Sequence, residues 1–437
     1  MCPASYSYSS TAELTPGAPC SALFVSKTTY PSYPRGMPGA LFVNIPARGH
    51  INPTLPVVAD LVARGEHVIY CLPPEDELLI RPTGATFRPV ANSFPEARER
   101  KGGAMSLSEL PAAGVRGAIR TLPELLEIVV ADKPSYVVYD AYCLAGRLVA
   151  QLADLPAVAT YATYAFNEQV LFSVTSGRLS DPSSAQRGLP GFDEAMEELV
   201  AKFGVPPIGL LDLLLHPEPL NIAFLPREFQ PAGETFDDRW VFVGPSLAPR
   251  PEAEALPLEH LEGGPVAYVS LGTVYNERPD FFRTVLRAFG GTGWRVVVAT
   301  GNWVDTGDLG PVPDNVILRP WVPQLEVLAK ADVFVGHGGM NSTMEALAYA
   351  VPLVVVPQQS EQRVTADRVA ELGLGQRLDP GDVTPESLLE AVTTLASEPG
   401  VAERLAAMQK AALAGGGHDR AAAEILRFTG NLGPGPA

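Results

Sequence analysis

The stretch "VGHGGMNSTMEALAYAVPLVVVP", residues 335–357, combines two apolar runs with a polar turn between them. An apolar run ends at His337, a polar and glycine-rich segment follows, and a helix-like stretch leads to a second apolar run at residues 352–356. Strand, turn, helix and strand in this order form one unit of a parallel sheet, because parallel neighbours need a crossover connection. Ligands of such sheets bind at the carboxyl ends of the strands, and the small and polar residues collect there.

The turn in this unit has the chemistry of an anion site. A helix that begins near Asn341 presents free backbone N–H groups and the positive end of its dipole. Gly338 and Gly339 allow a ligand to approach the backbone, while His337, Asn341 and Ser342 can donate side-chain hydrogen bonds. The pattern suits a diphosphate, although the sequence has neither a Walker loop nor a G-x-G-x-x-G turn. The structural alternative is an ordinary glycine-rich turn whose helix is capped by Asn341.

The same alternation of strands and helices extends over most of the chain from residue 40. The predicted strands are "ALFVNI" (40–45), "HVIYCL" (67–72), "YVVYD" (136–140), "PAVATYA" (156–162), "PVAYVSLG" (265–272), "WRVVVAT" (294–300), "NVILRP" (315–320), "VFVGH" (333–337), "PLVVVP" (352–357) and "GQRL" (375–378). The first of them is a continuous apolar run, as expected for a strand buried on both faces. The first helix is predicted to have Asn52 as its N-cap and Pro53 as its first residue. A helical region is predicted over 106–131 and a final amphipathic helix over 419–429.

The chain length and one biased segment predict two domains. The 437 residues exceed what one core usually holds. Residues 247–264 are rich in Pro, Glu and Gly, so they are predicted to link an N-terminal domain at 37–246 to a C-terminal domain at 265–415. Residues 1–36 are rich in Ser, Tyr, Pro and Thr and are predicted to be a disordered tail, unless translation starts at Met37. The fold class is α/β, with doubly wound parallel sheets.

Composition and charge exclude several classes of protein. The formal net charge of −17 argues against a general nucleic-acid binder. No stretch reaches the roughly 18 consecutive apolar residues of a membrane span. The four cysteines show no metal-binding spacing, and a reducing, cytoplasmic location fits them. Asp237 and Asp238 are adjacent and do not form a D-x-D pair, so no metal site is expected.

Two candidate catalytic residues fall at the carboxyl ends of strands in the first half of the chain. His50 lies in the turn after the first predicted strand, and Asp140 ends a later one. A neutral imidazole is a usable general base near pH 7, and a carboxylate can orient it. The structural alternative is that His50 makes only a local hydrogen bond and that Asp140 caps the following helix.

Several longer motifs resemble one known family. Residues 321–362, "WVPQLEVLAKADVFVGHGGMNSTMEALAYAVPLVVVPQQSEQ", resemble the nucleotide-sugar signature of the GT-B glycosyltransferases of family 1. Residues 44–70, "YDAYCLAG" at 139–146 and "ETFDDRWVFVGPSL" at 234–247 add to the resemblance. It covers roughly residues 38–430 and is closest to the bacterial macrolide glycosyltransferases and YjiC-like UDP-glucosyltransferases. The resemblance implies two Rossmann-like domains facing a central cleft, with a C-terminal helix at 416–437 that packs back on the N-terminal domain.

The resemblance also implies roles for single residues. It assigns nucleotide binding to Gly272, Thr273, Trp321, Val322, Gln324, His337, Gly339, Asn341, Ser342 and Glu345, sugar binding to Glu361 and Gln362, and general base catalysis to His50 supported by Asp140. The indole of Trp321 is expected to stack on the uracil, although a place in the core is the alternative for this side chain. Gln324 and Glu345 are expected to hold the ribose. Met340 departs from the plant members, which usually have Trp there.

The function implied is an inverting transfer of glucose from UDP-glucose to a hydroxyl of a small acceptor, such as a flavonoid, another phenol or a macrolide. The product would be a β-glycoside, and neither a metal nor a cofactor is expected. A UDP-sugar epimerase and a non-catalytic nucleotide-sugar-binding partner are the alternatives. A monomer or weak dimer is expected, with no nucleic-acid partner. Acceptor identity depends on variable loops, expected within residues 80–120 and 162–220.

Overall fold

The computed structural model describes residues 39–95, 108–170, 189–248, 256–272 and 276–430. The predicted tail, residues 1–36, lies outside these ranges, as do Thr273 and a part of each predicted acceptor loop, residues 96–107 and 171–188. Part of the predicted linker, residues 249–255, is also outside them. The described chain has two halves, a first half at residues 39–248 and a second half at residues 256–430.

The first half is built on a parallel sheet of seven strands among the described residues. They are β1 (Gly39–Val43), β2 (His67–Leu72), β3 (Thr86–Pro89), β4 (Tyr136–Asp140), β5 (Ala157–Tyr161), β6 (Leu220–Ala223) and β7 (Trp240–Phe242). Their order across the sheet is β3-β2-β1-β4-β5-β6-β7. β1, β2, β4 and β5 confirm the apolar runs predicted to be strands, whereas β3, β6 and β7 are short strands that the apolar runs did not reveal.

The second half contains a parallel sheet of six strands within the described ranges. They are β8 (Val266–Ser270), β9 (Arg295–Ala299), β10 (Val316–Arg319), β11 (Val333–Gly336), β12 (Leu353–Val355) and β13 (Gly375–Arg377). Their order is β10-β9-β8-β11-β12-β13, and all six confirm predicted strands. The two doubly wound sheets confirm the predicted α/β architecture.

Helices cover both sheets. The first half has α1 (Arg48–Ala63), α2 (Glu77–Ile80), α3 (Leu110–Asp132), α4 (Leu144–Leu152), α5 (Phe192–Phe203) and α6 (Leu210–Leu215). The second half has α7 (Pro279–Phe289), α8 (Gln324–Leu328), α9 (Met340–Ala348), α10 (Ser360–Glu371), α11 (Pro385–Ser397), α12 (Val401–Ala414) and α13 (Gly417–Gly430). Among the described helices, none is long and apolar enough to cross a membrane.

Both sheets reverse their strand order beside their first strand, and this positions the candidate site. In the first sheet the reversal lies between β1 and β4, which pair directly. In the second sheet it lies between β8 and β11. A crevice opens at the carboxyl ends of the strands at such a reversal, since the connecting helices leave on opposite faces. His50 follows β1 and Asp140 is the last residue of β4, while Gly272 and His337 follow β8 and β11.

The predicted start of α1 was wrong. The helix begins at Arg48 with Ala47 as its N-cap, and the Ala47 carbonyl accepts from the Ile51 N–H at 3.0 Å. Pro53 therefore lies inside the helix, where its missing N–H removes one intrahelical hydrogen bond. His50 is consequently held in the first helical turn and not in a loop.

The last helix, α13, belongs to the core of the first half. Ala421, Ala422 and Ile425 are fully buried in a cluster with apolar residues of α1 and of the strands behind it. The α1 residues Val57 and Val58 belong to the same cluster. Burying a side chain the size of isoleucine contributes about 1.5 to 3 kcal/mol, so this contact holds α13 on the first half.

Candidate active site

His50 and Asp140 meet at the edge of the first sheet, although 90 positions separate them in sequence. His50 Nδ1 lies 2.7 Å from Asp140 Oδ2. The Asp140 side chain is only 1% exposed, whereas that of His50 is 21% exposed. The other carboxylate oxygen, Oδ1, accepts from the Tyr142 backbone N–H at 2.9 Å. Two donors thus fix the carboxylate, and the imidazole directs Nε2 away from Asp140.

A polar network supports the first turn of α1. This network was not predicted from the sequence. Asn44 Nδ2 donates to the His50 carbonyl at 3.1 Å and to the Tyr70 hydroxyl at 3.1 Å. The Tyr70 hydroxyl also lies 2.7 Å from Thr54 Oγ1. Burial raises the pKa of Tyr70 well above its usual value, so the phenol stays neutral. The residue that could have indicated this network in the sequence is Asn44, a polar residue that directly follows the apolar residues of β1.

The glycine-rich turn of the second half leads into α9, whose N-cap is Gly339 and not Asn341. His337 lies in this turn. Burial lowers the pKa of its imidazole from 6.5 to about 4, and the backbone of Ser270 partly offsets this shift. The ring is therefore neutral at physiological pH and can donate one hydrogen bond. Its buried Nδ1 has no well-oriented hydrogen-bond partner among the described residues.

Glycines surround His337 for steric reasons. Gly272 has φ of +78°, and a Cβ there would lie 2.5 Å from Cε1 of the His337 ring. A Cβ on Gly339 would collide with Nε2 of the same ring. The Gly272 carbonyl accepts from Asn276 Nδ2 at 2.6 Å, and Asn276 is fully buried. Asn276 is a supporting residue without a recognisable sequence signal.

The structure brings three predicted nucleotide-binding residues into one network. Gln324 Nε2 donates to Glu345 Oε2 and, at 3.3 Å, to Ser342 Oγ. Gln324 Oε1 accepts from the Tyr268 hydroxyl at 2.8 Å. Glu345 is buried, so its carboxylate is held where polar partners are few. The network can offer fixed hydrogen-bond acceptors to vicinal hydroxyls.

Trp321 lies on the surface and not in the core. Its side chain is 44% exposed, and its indole N–H donates to Asn302 Oδ1 at 2.6 Å. The following residue, Val322, is buried. An indole fixed at its edge with an exposed face is suited to stacking on a planar ring.

Gln362 is held by the start of its own helix. Its Oε1 accepts from the backbone N–H groups of Gln358 at 2.8 Å and Gln359 at 3.2 Å, which closes a capping box on α10. Gln358 in turn accepts from Arg278 Nη1. The oxygen of the Gln362 amide is therefore engaged, which the sequence did not indicate. The side chain of Glu361 lies outside the described part of the structure.

The two halves touch at their carboxyl edges. Asn341 Nδ2 donates to the Gly49 carbonyl at 2.8 Å, across 292 positions of sequence. Arg368 of α10 donates from Nε to the Phe229 carbonyl at 3.0 Å and from Nη2 to the Glu228 carbonyl at 2.9 Å. The first turn of α1 therefore faces the start of α9.

Known proteins are similar to this chain over most of its length. Residues 284–424 match the family described as "Erythromycin biosynthesis protein CIII-like, C-terminal domain". The NDP-glycosyltransferase YjiC of Bacillus licheniformis is 40% identical over 395 residues, which cover 89% of this chain and 97% of that protein. The oleandomycin glycosyltransferase of Streptomyces antibioticus is 32% identical over 397 residues, covering 88% and 89% of the two chains. The crystal structure of the calicheamicin glycosyltransferase CalG4 aligns with a TM-score of 0.79 at 34% identity, covering 91% of this chain and all of the other.

Proposed function

This chain belongs to the GT-B glycosyltransferases of family 1, and from that membership we propose that it moves glucose from UDP-glucose to a hydroxyl of a small acceptor with inversion at the anomeric carbon. The acceptor is proposed to be a flavonoid, another phenol, a macrolide or a similar natural product. The relatives support the coarser statement, an NDP-sugar-dependent glycosyltransferase. The glucose, the acceptor class and the stereochemistry belong to the proposal.

The hydrogen bond between His50 and Asp140 is the observation that carries the proposal. With Nδ1 of His50 turned to a buried carboxylate, Nε2 is the nitrogen that can accept a proton. A binding protein needs no such base, and a base oriented by a carboxylate is suited to removing a proton from a hydroxyl.

The proposed reaction is a single displacement. His50 Nε2 takes the hydroxyl proton of the acceptor while its oxygen attacks the anomeric carbon of glucose. The bond between that carbon and the diphosphate oxygen breaks on the opposite side, so an α-linked donor gives a β-glycoside and UDP. Asp140 stabilises the imidazolium that forms, and it remains ionised itself.

The start of α9 is proposed to stabilise the negative charge that develops on the departing diphosphate. The nine-residue helix directs its first N–H groups and its dipole at that position. His337, held neutral by burial, adds a hydrogen-bond donor, and so does Asn341. Donors fixed in advance cost little reorganisation as the charge develops, so we propose that the reaction requires no metal ion.

The uridine is proposed to bind beside these groups. The exposed face of Trp321 would stack on the uracil, the backbone of Val322 would contact its edge, and Glu345 with Gln324 would accept the ribose hydroxyl protons. Glu361 and Gln362 at the start of α10 are proposed to contact the glucose hydroxyls.

Incubation with UDP-glucose and a panel of phenols, flavonoids and macrolides tests the proposal. Mass spectrometry should show an acceptor heavier by one hexose, and the proton coupling at the new anomeric centre should identify a β-linkage. Conversion of UDP-glucose to another UDP-hexose without an acceptor would identify an epimerase. Tight UDP-glucose binding with no product from any member of the panel would identify a binding protein.

A further inference from the structure

An internal proline leaves a carbonyl of the catalytic helix open to the other half of the molecule. In an α-helix the N–H of residue i+4 donates to the carbonyl of residue i. The residue four positions after Gly49 is Pro53, and both lie within α1. Proline has no N–H, and its ring pushes the carbonyl four residues earlier away from the helix axis. The Gly49 carbonyl therefore cannot receive its normal intrahelical donor.

Asn341 supplies a donor from the second half. Its Nδ2 lies 2.8 Å from the Gly49 oxygen. Asn341 is the second residue of α9, directly after the turn that holds His337, and Gly49 immediately precedes His50. One hydrogen bond therefore connects the proposed donor-binding turn to the peptide unit next to the proposed base.

The bond between Asn341 and Gly49 can affect the position of the base because other hydrogen bonds already hold His50 in this turn. The His50 carbonyl is already held by Asn44, and the His50 ring is held by Asp140. The Gly49 carbonyl is thus a point at which the second half acts on the position of His50. An asparagine amide has two N–H groups, so one can bind Gly49 while the other faces a phosphate oxygen.

We propose that Asn341 is a positioning residue for the base: it binds the Gly49 carbonyl, which Pro53 leaves open, and thereby fixes His50 relative to the donor. This inference rests on the proposed function. It assigns to Asn341 a role in the proton-transfer step besides any contact with the diphosphate, and it assigns a role to a proline that touches neither reacting group.

Pro53→Ala separates this role from donor binding. The substitution restores a backbone N–H at position 53, which can bond the Gly49 carbonyl within α1. That bond turns the Gly49 oxygen toward the helix axis and weakens its bond to Asn341. One hydrogen bond between neutral groups corresponds to a change of about two- to tenfold. We expect kcat at saturating UDP-glucose to fall by this factor while the Kd for UDP-glucose changes by less than about twofold.

Pro56→Ala is the matched control. Pro56 lies in the same helix and likewise lacks the N–H that would donate to the Asn52 carbonyl. Within the described residues, no side chain of the second half donates a hydrogen bond to that carbonyl. The control should therefore leave kcat within about twofold of the wild-type value. An equal loss of kcat in both variants would mean that helix geometry in general is responsible, and it would overturn the inference.

A double-mutant cycle with Asn341→Ala identifies the partner. If Pro53 acts through Asn341, Pro53→Ala lowers kcat in the wild-type background and has no further effect in the Asn341→Ala background. Equal effects in both backgrounds, or none in either, overturn the inference.

The same cycle in the free energy of unfolding does not depend on catalysis. Coupling between the two positions in urea titrations supports the bond even if no sugar is transferred, and strict additivity overturns it even if transfer is normal. Absence of transfer by the wild type would overturn the proposed function alone, so the two failures are distinguishable.

Discussion

Asp140→Asn perturbs the dyad while keeping the shape of the side chain. Each oxygen of the carboxylate has its own partner, the Tyr142 N–H at 2.9 Å and His50 Nδ1 at 2.7 Å. A carboxamide has one oxygen and one NH₂ group. It can accept from one of these partners and must direct its NH₂ group at the other.

The Tyr142 N–H is a backbone donor that cannot change, whereas His50 can change its tautomer. Directing NH₂ at the Tyr142 N–H leaves two donors opposed in a partly buried site, at a cost of about 1 to 3 kcal/mol. Directing it at His50 moves the imidazole proton to Nε2. Since 1.36 kcal/mol corresponds to a factor of ten, the inactive tautomer is favoured by about 5- to 150-fold. With the lost stabilisation of the imidazolium, we expect kcat to fall by about 10² to 10⁴.

The assay compares acceptors of different acidity at saturating UDP-glucose. With an alcohol acceptor the full loss should appear, whereas a thiol that is already ionised needs no base and should lose less than about tenfold. Asp132→Asn is the control, because Asp132 is another carboxylate with little exposure, and it is paired with Arg88 at 2.8 Å and 2.9 Å. It should reduce stability and leave kcat nearly unchanged. A folded Asp140→Asn variant that keeps more than about a fifth of the wild-type rate on the alcohol would refute the assignment of His50 as base.

Three further outcomes are expected. Because burial lowers the pKa of His337 from 6.5 to about 4, its contribution to the free energy of unfolding is complete above pH 6.5 and is lost as the pH falls toward 4. When the pH is lowered from 7 to 4.5, the free energy of unfolding measured in urea titrations should therefore fall by about 2 kcal/mol less for His337→Gln than for the wild type. Equal decreases in the two proteins would contradict this. Gly272→Ala should raise the Kd for UDP-glucose at least about tenfold because its Cβ meets the His337 ring. Gly263→Ala is the control because Gly263 also has a positive φ, +85°, and a Cβ there would meet only Arg295 Nη2 at 3.9 Å. Unchanged affinity is expected for it, and a similar loss in calorimetry would refute the steric argument. Ile425→Ala should reduce the free energy of unfolding by about 2 to 5 kcal/mol, while Leu413→Ala, at an exposed position, should change it by less than about 0.5 kcal/mol; similar values for the two would contradict the packing of α13.

Much of the fold could be predicted because buried parallel strands have continuous apolar sequences. "YVVYD" is buried at all five positions and ends at Asp140 as predicted. β3 escaped prediction because it is a partly exposed edge strand that contains Arg88 and ends in Pro89. β7 lies inside "ETFDDRWVFVGPSL", a segment that indicated the family resemblance and was not assigned to a strand.

The start of α1 was mispredicted because its first turn is held by distant residues. Asn52 and Pro53 have the local preferences of an N-cap and a first helical residue. The helix nevertheless begins at Arg48, and the carbonyls of its first turn receive donors from Asn44 and Asn341. Local preference cannot reveal partners supplied by other elements.

Predicting the candidate site had the same limit. Strand ends and family motifs indicated His50 and Asp140, which the structure brings within 2.7 Å. The engagement of the Gln362 oxygen in a capping box, and the burial that keeps His337 neutral, depend on packing around each side chain. Residue type and spacing do not contain that information.

The position of α13 has a consequence for biosynthesis. The core of the first half includes Ala421, Ala422 and Ile425, so a part of that core is translated only after the whole second sheet. Domains generally fold as units during synthesis, N-terminal first. Here the α1 side of the core of the first sheet stays uncovered until the second sheet has been translated. A nascent chain arrested before residue 417 should therefore expose apolar surface and recruit chaperones, and release of the last helix should end that association.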